Sequence, residues 1–208
     1  MMILVDYGET FIFIALAIAS VIALGVCMDR YFLMRPYTGK KSTGIYLSVL
    51  EAIRATDIDR VRSISADGDS IYARFAAYCL IKIEERKSSL DEIMASRMLE
   101  EESILEKRLP VLNTLGNNAP FIGLLGTVLG VIKAFHGLGT LGNTGAEVVM
   151  RGISSALLAT AAGLFIAVPV VMFNNFFTAR IHEIMKNLLI ISKEMSAYAA
   201  HAVGKKKK

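Results

Sequence analysis

Hydroxyl groups stand among small residues in two long apolar stretches. Thr127 lies in GLLGTVLG, and Ser155 and Thr160 lie in GISSALLATAAGLFIAVP. A hydroxyl donates one hydrogen bond and offers two acceptor lone pairs, so in apolar surroundings it can hold a water, a carboxylic acid or a cation. Two readings of the threonines stay open. In the plain one, each bonds the carbonyl one turn back and fills space. In the other, the Thr127 and Thr160 hydroxyls line a narrow polar path. No Asp, Glu, Lys, Arg or His occurs within 116–132 or 152–179. An ion path through a bilayer usually includes an ionisable group, so a path built on these spans needs a carboxylate from another protein.

The neighbours of the hydroxyls are as telling. Gly123, Gly126, Thr127 and Gly130 fall at i, i+3, i+4 and i+7, on one helix face, and Gly126 and Gly130 form a GxxxG pair. Ser155, Ala159, Ala162 and Gly163 give a second small face, with Thr160 beside it. Faces without large side chains let helices approach closely in a membrane. These residues are therefore expected at helix-packing contacts, including contacts between copies of the chain.

The elements that must position them follow from hydropathy. The 208-residue chain is 54% hydrophobic, with a mean hydropathy of +0.50. Residues 10–28, 109–132 and 152–179 carry no charge, and ~20 apolar residues suffice to cross ~30 Å of hydrocarbon. We expect an all-α membrane protein: transmembrane helices over 10–28, 109–138 and 152–179, terminal and loop segments over 1–9 and 139–151, a helical domain over 29–108, and a helix with a basic tail over 180–208. The amino end has Asp6 and Glu9 but no lysine or arginine, and no Ala-x-Ala site follows the first apolar run. That run reads as a retained helix rather than a signal peptide. Arg30, Arg35, Lys40 and Lys41 follow the first span, and Arg180, Lys186, Lys193 and Lys205 to Lys208 follow the third. The bias places 29–108 and the carboxyl end in the cytoplasm and the amino end outside. Lys133 and Arg151 flank the outer loop as exceptions, expected to snorkel to headgroups, with Glu147 near. The terminal lysines read as a tail beside anionic lipid.

In the polar part, 39–44 reads as a loop, 45–55 and 57–64 as short helices, Asp67-Gly68-Asp69 as a turn and 70–86 as a helix. Ser89 and Glu92 fit a capping box, and the helix that starts there is expected to run on into the second span, with Pro110 and Pro120 as kinks; Pro169 is a kink candidate in the third. Beyond Arg180, Ile181, Ile184, Leu188, Ile191, Met195, Tyr198 and Ala202 alternate spacings of three and four. That seam wants a partner, either the chain's own polar helices or another copy. A helix from 152 to 203 is about 75–80 Å long at ~1.5 Å per residue.

Cys27 and Cys79 read as free thiols. There is no Walker loop, G-x-S-x-G or H-E-x-x-H, and His136, His182 and His201 are far apart. No enzyme activity, cofactor, metal or nucleic-acid partner is expected.

The strings AP-x-x-GLLGTV-x-G and GI-x-x-ALLATA-x-GL-x-x-A-x-P, as they stand in 119–130 and 152–169, resemble the signature spans of the ExbB/TolQ family, the larger group that includes the MotA stator proteins. The resemblance extends over essentially the whole chain and is nearest to ExbB. It implies a homopentameric ring in the bacterial inner membrane, amino end periplasmic, around a single-span ExbD- or TolR-like partner with a membrane aspartate. The family turns the proton motive force into work at the outer membrane through a TonB- or TolA-like protein. Thr127 and Thr160 match the family's pore-lining threonines. One position departs: where the family commonly has glutamate in GI-x-E-AL, this chain has Ser155, so the partner is expected to carry the acid alone. Tol-Pal or another envelope machine, sodium coupling, and a non-conducting membrane scaffold are the alternatives. A self-sufficient transporter has little support, since three spans without inverted repeats offer no ion site.

Overall fold

In the computed structural model, residues 2–66, 70–85, 89–141 and 145–205 are described. They form helices α1 (Met2–Met34), α2 (Lys40–Arg54), α3 (Ile58–Ala66), α4 (Ile71–Glu84), α5 (Leu90–Glu106), α6 (Leu109–Leu141) and α7 (Gly145–Lys205), with a 3-10 turn at Arg35–Tyr37. No strand occurs among the described residues. The turn expected at 67–69 and the last three lysines lie outside them. Two compact units emerge: the first from 1–29 and 108–176, the second from 30–107 and 177–208.

The first unit holds the apolar stretches. Three helices are long and apolar enough to cross a membrane, over Tyr7–Tyr37, Leu109–His136 and Val149–His201. Ile12 and Leu16 of α1, Ala119 of α6 and Ala167 of α7 form a buried cluster. Most large side chains of these helices instead face outward, including Phe11, Phe121, Leu125, Leu157 and Phe165. A surface of that kind would be untenable in water and is what hydrocarbon solvates.

The second unit is built the other way round. Val49, Val61, Phe75, Cys79, Met94 and Leu105 are buried, together with Ile181, Ile184, Leu188, Ile191 and Met195 of α7. The seam beyond Arg180 thus packs inside the chain. Asn187 donates to the Tyr72 hydroxyl at 3.2 Å, and Ser196 donates to Asp91 at 2.5 Å. At its far end Ala199 is buried while Tyr198 is half-exposed. A straight helix at 3.6 residues per turn drifts off a strict seven-residue repeat, so the buried position moves along by one.

Several boundaries differ from the sequence reading. α2 begins at Lys40, within the expected loop 39–44, because Gly39 (φ 126°) supplies the sharp entry and Thr43 N–H already bonds Gly39 C=O at 3.1 Å. Ser89 precedes α5 without a side-chain capping bond, so the capping box does not form. The helix expected to run unbroken from Ser89 into the second span is divided. Lys107 leaves the helix at φ −48°, ψ 130°, and Arg108 takes φ 70°, uncommon for a side chain with a Cβ. Arg108 there pairs with Asp29 at 2.8 Å. Pro110 therefore sits in the first turn of α6 rather than kinking a longer helix, and a first turn has no use for its missing N–H. Pro120 and Pro169 lie within α6 and α7, which continue through them. The loop expected over 139–151 is mostly helix, since α6 extends to Leu141 and α7 starts at Gly145.

Candidate functional site

The two small faces meet within the chain. A Cβ added at Gly123 would come within 2.7 Å of the Ala159 carbonyl oxygen, and one at Gly163 within 2.6 Å of the Ala119 carbonyl oxygen. At Gly126 and Gly130 the obstacles would be the Cβ atoms of Ala159 and Ala156, at 2.5 and 2.7 Å. α6 and α7 therefore touch nearly backbone to backbone. Ala162 is half-buried and packs on the cluster formed by Ile12, Leu16, Ala119 and Ala167. The residues expected at helix contacts are thus occupied by α6–α7 and α1 packing inside one chain.

The threonines part company. Thr127, half-buried, donates to the Leu124 carbonyl at 2.7 Å. That is the plain reading, and the hydroxyl oxygen can still accept a hydrogen bond. Thr160 does not follow it: its hydroxyl oxygen is buried with no hydrogen-bond partner in the chain. The Asn174 amide oxygen, further along α7, is in the same condition. Buried polar atoms nearly always find a partner, often water, and an unpaired hydroxyl costs about 1–3 kcal/mol.

Ser155 holds a residue that sequence reasoning missed. Its hydroxyl donates to one carboxylate oxygen of Glu9 on α1, and the Lys133 ammonium on α6 donates to the other at 3.1 Å. The Glu9 side chain is 16% exposed and that of Lys133 37%. Lys133 was expected to snorkel to headgroups with Glu147 near; the carboxylate it reaches is that of Glu9. Arg151 does pair with Glu147, at 3.4 Å, fully on the surface. Glu9, Lys133 and Ser155 each fall within one of the three membrane-crossing segments. The three-span part of this chain therefore contains an acid of its own. The one available signal was position: Glu9 is the last charge before the uncharged run 10–28. Its partners lie 124 and 146 residues away in sequence, so no local pattern joins them.

Outside the membrane-crossing segments, burial pushes the Cys79 thiol up to about 12, which makes it inert. Among the described residues no three His, Cys, Asp or Glu side chains come together as a metal site.

Residues 63–189 match the MotA/TolQ/ExbB proton channel family. Among curated relatives, the Tol-Pal system protein TolQ of Pseudomonas aeruginosa is 41% identical over 97 residues, covering 47% of this chain and 42% of the relative. The biopolymer transport protein ExbB of Aquifex aeolicus is 36% identical over 112 residues, covering 54% of this chain and 74% of the relative. ExbB of Helicobacter pylori is 45% identical over 71 residues, covering 34% of this chain and 49% of the relative. The chain thus spans less than half of the TolQ relative's length and about three quarters of the Aquifex relative's.

Proposed function

Because the chain belongs to the MotA/TolQ/ExbB proton channel family, we propose that it is the large, ExbB-like subunit of an ion-driven machine in the bacterial inner membrane. Five copies surround a single-span, ExbD- or TolR-like partner whose membrane helix bears an aspartate. Ion flow down the proton motive force then does work on the cell envelope through a TonB- or TolA-like protein. On the charge bias of the flanking segments, the amino end is periplasmic and the second unit cytoplasmic.

One observation carries this reading. Thr127 stands among outward-facing Leu124, Leu125 and Val128, on a span with no ionisable residue near it, and its oxygen can accept a hydrogen bond while its proton is held by Leu124 C=O. A protonated aspartic acid from a neighbouring helix is a donor, so Thr127 complements the acid in the state that crosses hydrocarbon most cheaply. The partnerless oxygens of Thr160 and Asn174 add sites for water along α7. Together they supply polar stations and no charge.

The test is transport by the intact complex, purified through a tag on this chain and reconstituted with a pH-sensitive dye inside the vesicles. Thr127→Val and Thr160→Val keep side-chain shape and remove the hydroxyl. Each is expected to lower proton uptake by about 100-fold, the usual scale for a proton-handling group, with the partner still co-purifying. Full uptake by both variants would sink the role given to the threonines. A purified ring without foreign helices at its centre would sink the architecture. The resemblance to TolQ favours a second reading, in which the same device serves a Tol-Pal type machine; the periplasmic domain of the co-purifying small partner separates the two.

A further inference from the structure

We propose that Glu9, seated on Ser155 and Lys133, is a proton-exchange site belonging to this chain, at the end of the spans where α1 begins. The proposal rests on the proposed function and extends it: the ion meets a carboxylate of the large subunit as well as that of the partner.

The geometry supports a site rather than a surface pair. Three helices each contribute one group. α1 brings the carboxylate, α6 the ammonium and α7 the hydroxyl. The carboxylate is mostly covered, at 16% exposure, inside a segment otherwise free of charge as far as Met28. Holding a charge on so covered a side chain is costly unless it is paired and hydrogen-bonded. Here both carboxylate oxygens are engaged, one by a charge and one by a neutral hydroxyl. The approach is also arranged for. Beside Glu9, Gly8 has no Cβ, and one placed there would meet the Leu129 side chain at 2.8 Å. α1 can thus lie close enough to α6 for Glu9 to reach Lys133.

The two partners answer protonation differently. A proton delivered by hydronium to the Glu9 carboxylate leaves water and a neutral acid, and the Coulomb attraction to Lys133 is lost. Ser155 can rotate and accept from the new O–H instead of donating, because a hydroxyl does either. Lys133 is then left with its remaining partners and water. When the proton passes on to a carboxylate of the partner, Glu9 regains its charge and the pair with Lys133 closes again. Atoms and charge balance in both steps, and no further reactant is needed. Other ionisable residues toward this end include Asp6, one turn before Glu9 on α1, His136, one turn beyond Lys133 on α6, and Arg151, one turn before Ser155 on α7, with its partner Glu147.

The close seat of Glu9 on Ser155 suggests a test that a merely structural role would not pass. In the complex purified as above, Glu9→Gln keeps the shape and a hydrogen bond to Ser155 but cannot take up a proton. Proton uptake is expected to fall by about 100-fold, with the partner retained. Glu9→Asp keeps the acid and is expected to keep most of the uptake. The decisive variant is the double substitution Glu9→Gln with Ser155→Glu, which moves the carboxylate across to α7 at the same spot. Recovery to within about tenfold of the unaltered complex is expected. Should Glu9→Gln alone fail to assemble, the double variant still carries the test. Unchanged uptake by Glu9→Gln overturns the proposal. So does a loss that the double variant does not restore, which would mark Glu9 as a packing residue. If the unaltered complex takes up no protons, it is the proposed function that fails; the variants decide on Glu9 only against a conducting complex.

Discussion

The two units use opposite materials for the same task. In the first, α6 and α7 are joined through Gly123, Gly126, Gly130, Ala156, Ala159 and Gly163, while phenylalanines and leucines point outward. In the second, Phe75, Met94, Leu105, Ile181 and Leu188 are buried and ion pairs such as Arg54–Glu194 and Arg62–Glu84 lie on the surface. α7 contributes to both units and changes its buried stripe from alanine and glycine to isoleucine, leucine and methionine. The difference teaches what each solvent rewards. Water expels large apolar side chains, with about 25 cal/mol gained per Å² covered. Hydrocarbon does not expel them, so helices there are held by close backbone approach and dispersion, which small residues permit.

That contrast can be broken first at Gly163. Gly163→Leu drives a side chain into the Ala119 carbonyl, which is backbone and cannot swing aside. We expect loss of the folded first unit, read as failure to purify a monodisperse protein, the largest effect of the set. The mirror experiment in the second unit is Leu188→Ala, at a fully buried position. It should destabilise the detergent-solubilised protein by about 2–5 kcal/mol in denaturant titration. A large-to-small change at outward-facing Phe165 should cost far less, since that side chain is 80% exposed. If Phe165→Ala cost as much as Leu188→Ala, the division between the units would be wrong.

A third effect is set by pH. Burial holds the Cys79 thiol at about 12 against an ordinary value of 9.0. Its folded value is raised, so the stability it contributes is complete below the unfolded thiol's range and is lost as pH climbs from there toward about 12. Between pH 8 and 10 the protein should lose about 1 kcal/mol that a Cys79→Ala variant does not lose. Denaturation at the two pH values checks it, and Cys79 should stay unlabelled by maleimide at pH 7.5 in the native state. The smallest effect belongs to Arg54→Ala. Its pair with Glu194 is 2.8 Å long, but the side chains are 59% and 30% exposed, so about 0.5 kcal/mol or less is expected.

Much of this was legible beforehand because it is written at short range. Uninterrupted apolar runs announce the spans, and the three-four spacing from Ile181 to Met195 announces the buried seam. The division at Lys107 and Arg108 was not legible. Both are ordinary helix formers, and only Pro110 hinted at it; a proline near a membrane helix can equally be a kink. The hydroxyls illustrate a finer limit. Thr127 and Thr160 have the same chemistry and similar neighbours, yet one donates to its own helix and the other is buried without a partner. Which occurs depends on how closely the opposite helix approaches.

Composition and periodicity alone determined that this chain is helical, that three of its segments suit hydrocarbon, and which faces of two of them are small. Those properties depend on residues within a few turns of one another. Tertiary structure alone decided that the two small faces close on each other within one chain. It also decided that Ser155 receives a carboxylate from the first helix, with Lys133 completing the set. Groups 124 and 146 residues from Glu9 become neighbours only when three helices settle at contact distance, and side-chain reach of a few ångströms then selects the partner.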